Sequence, residues 1–235
     1  MEKTNLKTSL ITAIAIVICG ICLPVAVKEY RSLDRTITVK GLCEREVKSD
    51  KVIWPIQFKN VSNSLSTLTE KIDLDKEKII SFLVKEGIDK EEISINAPFI
   101  SDKLSQQYNS DREYRYYSKS VITVCTQKVD LVLALTSKIS NLLKEGVLLG
   151  GENEWDNDKA EYKFEALNEI KPEMIHEATA NARIAAEQFA KDSGSKIGRI
   201  KTASQGSFSI ENRDSNTPQI KRVRVVTSIT YCLKH

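Results

Sequence analysis

From Leu10 to Val27 the chain reads LITAIAIVICGICLPVAV, eighteen residues without a charge. Lys3 and Lys7 precede the run, and Lys28, Glu29 and Arg31 close it. At about 1.5 Å of rise per residue such a helix spans roughly 27 Å, close to the ~30 Å of a hydrocarbon core. Gly20 and Pro24 are tolerated in a span of this kind. The segment reads as an N-terminal transmembrane helix, with residues 1–31 as a membrane anchor and 32–235 as the folded body. A cleaved secretory signal is the rival reading. Its apolar core is usually shorter, about 7–15 residues, and ends at a small-x-small site, for which no clean pair stands here. Cys19 and Cys22 do not read as lipidation sites, because Ile18 and Ile21 precede them. A buried core helix is the third reading, and the terminal position and lysine flanks speak against it. Lys3, Lys7 and the amino terminus nearly balance Lys28, Arg31 and Arg35 across the span. The signal-like layout favours export of the body.

The body has the makings of a globular domain. Of 235 residues 41% are hydrophobic, which with a small net charge argues against disorder. Setting aside Lys3, Lys7 and Glu2 leaves 33 basic and 31 acidic residues. Such a surface carries no single-sign field, and nucleic-acid binding is not expected. The densest basic cluster, Lys221-Arg222 with Arg224, reads as the outward residues of a strand.

Period-two alternation marks the strands. Ile37 and Val39 share a face in the run Thr36–Gly41. Trp54, Ile56 and Phe58 alternate around Pro55, which suggests an edge or bulge position. Tyr116–Thr126 is rich in β-branched and aromatic residues. Val223, Val225, Thr227, Ile229 and Tyr231 form one face of a half-buried strand, with Arg222, Arg224, Ser228 and Thr230 on the other. Helical spacing lies between these runs. Leu65, Leu68, Ile72, Ile79, Phe82 and Leu83 predict a helix stopped by Gly87. Leu131, Leu135, Ile139, Leu142 and Leu143 predict a second, stopped by Gly146. The third has Pro172 in its first turn, a stripe of Ile175, Ala178, Ala182, Ala185, Ala186 and Phe189, and Gly194 as its stop. Residues 101–112 and 205–217 read as exposed loops. Interleaved strands and helices predict an α+β fold of two layers, a largely antiparallel sheet with helices packed on one face.

Little in the chain carries chemistry. His176 and His235 are the only imidazoles; His176 reads as a solvent-edge residue, and no second His could build a zinc site with it. Ser193-Gly194-Ser195-Lys196 matches S-x-x-K formally. It falls where the third helix should end, whereas an acyl-enzyme needs it at a helix start. Glu152, Glu154, Asp156 and Asp158 alternate as calcium ligands can, but the glycines precede them and Trp155 interrupts, so an exposed hairpin loop is the better reading. No nucleophile elbow, Walker loop or dinucleotide fingerprint is present. Cys43, Cys125 and Cys232 lie in strand-like runs and read as small buried hydrophobes, with an intermolecular bridge left open by their odd number. No catalytic, cofactor-binding or metal-ligating residue is assigned, and no enzyme is expected.

The ordered motifs resemble the SIMPL-domain family. Thr36-Ile37-Thr38-Val39-Lys40-Gly41 followed by Val47–Lys51 is similar to its opening strand pair. Glu177–Ala190, then Ser193-Gly194-Ser195-Lys196-Ile197-Gly198 and the strand from Val223, continue the likeness to about Leu233. The resemblance implies a bacterial envelope protein, periplasmic or surface-associated, linked to stress responses including oxidative stress. One periplasmic member of the family assembles into a large ring-like oligomer. No catalytic residues are established for the family, and none carry over.

Two readings follow. The first is a non-enzymatic protein anchored in the bacterial inner membrane through residues 10–27, its body in the periplasm, acting as a homo-oligomer or by partner binding. The second is a periplasmic binding module for a small ligand or envelope polymer, with Tyr108, Tyr114, Phe208 and Arg213 as contacts. An enzyme working with carboxylates alone would need a concave pocket holding a close carboxylate pair.

Overall fold

The structure, a computed structural model, describes residues 35–105, 113–150 and 159–234, with Ala13, Ile16, Val17 and Gly20 as isolated helical positions. The elements in chain order are β1 (Thr36–Lys48), β2 (Lys51–Ser62), α1 (Leu65–Lys85), β3 (Ile93–Ile95), β4 (Phe99–Asp102), β5 (Tyr116–Thr126), α2 (Val129–Lys138), α3 (Ser140–Lys144), β6 (Leu148–Leu149), β7 (Glu161–Lys163), α4 (Leu167–Asp192), β8 (Lys196–Gln205), β9 (Ser209–Asn212) and β10 (Ile220–Lys234). Among the described residues no helix is long and apolar enough to cross a membrane. The expected span at 10–27 lies, apart from the four isolated positions, outside the described residues.

The α+β class with antiparallel strands holds, but the strands form two sheets. One has four strands, in the order β1-β10-β8 with β9 also on β10; the other has six, in the order β3-β5-β2-β6 with β4 on β5 and β7 on β2. The described chain gathers into two compact units. Unit 1 holds residues up to Arg45, Glu169–Ser209 and Val223 onward; unit 2 holds Glu46–Asn168 and Ile210–Arg222.

In unit 1 a helix lies on the four-stranded sheet. Met174, Ala178, Ala182, Ala186 and Ala190 of α4 are buried at a strict four-residue spacing. Ala182 and Ala186 pack on Ile229 and Tyr231 of β10, with Ile37, Val39 and Ile197 beside them. Three members of the expected stripe fall outside it: Ile175 is half-buried, Phe189 is 49% exposed, and Ala185 faces solvent. Small side chains allow a very close approach. A Cβ on Gly41 of β1 would lie 1.9 Å from the Ala178 carbonyl oxygen and 2.4 Å from the Ala182 nitrogen. Pro172 is not in the first turn, because α4 begins five residues earlier at Leu167. Its ring removes the bond that the Asn168 carbonyl would accept. The helix ends as its sequence promises, with Gly194 at φ +64 and the Ser195 amide donating to the Ala190 carbonyl at 2.8 Å.

In unit 2, α1, α2 and α3 cover the six-stranded sheet. Val52, Trp54, Ile56 and Phe58 of β2 pack with Ile122 and Val124 of β5 against Leu68, Ile72, Ile79 and Leu83 of α1. Asp75 is buried in the same stripe between Ile72 and Ile79, where Lys78 reaches it at 3.3 Å. The predicted second helix is two, interrupted at Ile139. Just before the break the Thr136 hydroxyl donates to the Leu133 carbonyl at 2.8 Å, a side-chain bond that competes with regular helix. Gly87 and Gly146 stop their helices with φ of +104 and +84. Asp50 accepts from the Glu165 and Ala166 amides at 2.8 and 2.7 Å, which places a carboxylate at the start of α4.

The expected loops are partly regular. Ser101 and Asp102 complete β4, residues 103–105 form a 3-10 turn, and 106–112 lie outside the described residues. In the second stretch Ser209–Asn212 is β9. Lys221 also departs from expectation. It shares the inward face with Val223 and is 8% exposed, its Nζ donating to Asn212 Oδ1.

Candidate functional site

Three features of the described residues could carry a function. The first is a break in the ladder of β2. On one side β2 pairs with β5 without interruption from Val52↔Thr126 to Ser62↔Tyr116. On the other, β7 pairs Lys51–Ile53 and β6 pairs Phe58 and Lys59, and no described strand pairs Trp54–Ile56. Gly150 donates to the Gln57 carbonyl at 2.9 Å, so the odd-numbered residues of β2 turn their backbone groups to this broken edge. Pro55 is one of them. It has no N–H to leave orphaned there, and its carbonyl faces the gap. The edge position expected for Pro55 is thus a local one inside a paired strand, without a bulge. Opposite the gap stands the break between α2 and α3. The result is a cleft of about 830 Å³, floored by Trp54, Ile56 and Tyr162 and walled by Thr136, Ser140 and Leu143. Burial pushes the Tyr162 phenol above its ordinary pKa.

The second feature is a charged cluster in unit 1. Arg45 of β1 forks between two acids one turn apart on α4, donating to Glu173 at 2.7 Å and to Glu177 at 2.9 Å. These bonds, first that to Glu173, hold the guanidinium above its ordinary range. Both carboxylates are held below theirs, chiefly by the hydrogen bonds from Arg45. The Cys43 thiol is 1% exposed and bonds Glu177; burial first, then that bond, push its pKa up. A buried thiol so shifted is a poor nucleophile. The acids are occupied by Arg45, so the cluster ties β1 to α4 and offers no free acid–base pair.

The third feature is an open sheet edge. The four-stranded sheet ends at β8, which has β10 on one side and no described strand on the other. β8 is ten residues long and exposed from Arg199 to Gln205. The Gly206 amide donates to the Val226 carbonyl at 2.8 Å, so alternation turns the backbone groups of Ala203 and Gln205 outward. β1 forms the opposite end of the strand order.

A family model described as SIMPL, protein of unknown function (DUF541), matches residues 37–230. The chain belongs to the SIMPL family. The matched span runs from the first residues of β1 into β10, so the SIMPL match takes in strands of both described sheets and the helices α1 to α4. No curated protein matches the chain.

The residues singled out in the sequence fall as follows. His176 is exposed on α4, and Ser193–Lys196 closes that helix. Tyr108 and the acidic positions Glu152, Glu154, Asp156 and Asp158 lie outside the described residues. Tyr114 is 39% exposed in unit 2. Phe208 lies in unit 1 with the Lys171 Nζ 5.9 Å from its ring centroid. Arg213 is occupied within unit 2 by Asp214, Thr217 and Glu46 at 3.0, 2.9 and 3.4 Å. Cys43 and Cys232 are buried, Cys125 is exposed, and all three are free thiols. Among the described residues no three His, Cys, Asp or Glu side chains gather as metal ligands would. The cleft went unseen in the sequence because its walls come from segments far apart in the chain; Pro55 was its one visible sign.

Proposed function

We propose that this SIMPL-family protein is a non-enzymatic, membrane-anchored component of the bacterial envelope that works by assembling with copies of itself. The observation that carries the reading is the open edge of β8. An unpaired strand edge offers a row of amides and carbonyls to an incoming strand. Lys196, Arg199 and Lys201 punctuate this edge, and charges of that kind discourage indiscriminate pairing. The two ends of the sheet are different strands, so pairing β8 of one copy with β1 of the next is head-to-tail, and such contacts close into rings when the rotation permits. Residues 10–27 would hold the copies in one membrane and raise their effective concentration. The family resemblance supports a periplasmic body, an oligomeric state and a link to stress.

The test is the native mass of the full chain in detergent by light scattering, with and without reductant. A defined oligomer is expected in both, since two of the three thiols of the body are buried. Ala203→Pro deletes one outward amide and leaves the ladder to β10 intact, so it should convert the oligomer to monomer with unchanged circular dichroism. A wild-type monomer, or an oligomer indifferent to Ala203→Pro, would defeat strand addition at β8.

A further inference from the structure

We infer that the cleft on the broken edge of β2 is a binding site for a small, uncharged molecule with an apolar body and one hydrogen-bond donor. This goes beyond assembly and does not depend on it, because every residue of the cleft belongs to unit 2.

The cleft follows from the sequence. A strand flanked on both sides normally continues its ladder. At Pro55 it cannot, since proline has no amide to give. The two short partners therefore stop on either side of it, β7 after Ile53 and β6 at Phe58. The space they leave meets the interruption of α2 and α3 at Ile139, and no described strand or helix fills it.

The lining sets the chemistry of the occupant. The cleft's size, about 830 Å³, is that of pockets that take small organic ligands. Its floor is apolar and aromatic, continuous with the unit's core through Trp54, Ile56 and Tyr162. Its polar groups are mostly neutral: Thr136, Ser140, Ser215 and Asn216, with Lys159 as the single charged side chain among the described lining residues. A charged ligand would leave most of its hydration without replacement there. The Pro55 carbonyl is an acceptor turned into the gap, and strand pairing does not use it on that side. An acceptor at an apolar site is matched by a ligand hydroxyl or N–H, and a ligand without one leaves it desolvated and unbonded. An amphipathic alcohol or amide has that combination of parts.

The probe is a diazirine-bearing octanol, photolysed with the full chain in detergent and mapped by mass spectrometry. Saturable labelling is expected on the Leu133–Leu143 and Lys159–Tyr162 peptides, competed by plain octanol. The methyl ether of the same probe lacks the donor and should label about threefold to tenfold less, the worth of one neutral hydrogen bond. Ser140→Trp, at an exposed position on the lip, should cut labelling at least fivefold, while Leu74→Trp on α1 leaves it unchanged. If Ser140→Trp fails to fold, Leu143→Arg makes the same comparison. Labelling that does not saturate, that is confined to residues 10–27 or that survives both lip variants overturns the site. Equal labelling by the ether overturns the donor requirement.

Discussion

Gly41 stands where the backbone of β1 and that of α4 nearly touch. Its φ is not in the left-handed region; what excludes a side chain is the space itself, with two α4 backbone atoms within 2.4 Å of any Cβ. Gly41→Ala should therefore push α4 off the sheet and uncover the Ala182–Ile229 contact. Overpacking of this kind costs about 1–3 kcal/mol, and backbone atoms cannot swing aside as a flexible side chain could, so the upper end is expected. Chemical denaturation of wild type and variant would show it, and an unchanged midpoint would mean that the two elements are not in contact in solution. Arg45 works at the same scale by charge, drawing Glu173 and Glu177 to β1. Lys221 shows how a residue can mislead. As one of three neighbouring cations it looks like surface, yet it has the parity of Val223 and points inward with it. Alternation was the stronger rule, and charge clustering obscured it.

Among the elements, α1 was legible because its spacing is amphipathic over more than two turns, and β5 because it is rich in β-branched and aromatic residues. The stripe of α1 is buried at Leu68, Ile72, Ile79 and Leu83, as spacing requires. Leu83→Ala opens a cavity at a fully buried site and should cost about 2–5 kcal/mol. A urea titration that moved by much less would mean that the core collapses around the gap. Elements with weak alternation escaped the sequence reading for a physical reason. β8 and β9 are exposed on both faces for most of their length, so no apolar period marks them. The break between α2 and α3 was hidden because the helical spacing of Leu135, Ile139 and Leu142 runs on through it. Phe189 and Ala185 were drawn into the α4 stripe because three- and four-residue spacings look alike on a helical wheel. The structure uses the four-residue spacing alone, since only small residues in that row permit the close approach.

At the scale of the whole molecule, the class of fold was readable and its division into two sheets was not. Strand pairing joins residues far apart in sequence, and no local pattern reports it. Charge is also best judged over the whole. Glu173 and Glu177 are held below the ordinary carboxylate range, each chiefly by Arg45, Asp102 chiefly by Arg115, and Asp214 first by the Thr217 hydroxyl and then by Arg213. Burial pulls Glu92 upward, and the bonds from Thr126, the Asp89 amide and Lys128 more than offset it. An acid whose pKa is depressed on folding lends stability above its unfolded value, near 4, and loses it as the pH falls through the folded value. Thermal midpoints should thus hold from neutrality down to about pH 5 and fall steadily below that. A midpoint that rises on acidification would contradict these pairings.

The alanine row of α4 has a mechanical consequence. On a helix of 3.6 residues per turn, every fourth residue advances about 40° past a full circle, so the row winds round the axis and lies at roughly 26° to it. The notch at Gly41 accepts the backbone at Ala178 and Ala182, and the larger side chain of Met174 occupies the row four residues before Ala178. Helix and sheet are thus keyed like a thread and its nut. The helix cannot slide by one residue without also turning, and the key at Gly41 resists the turn.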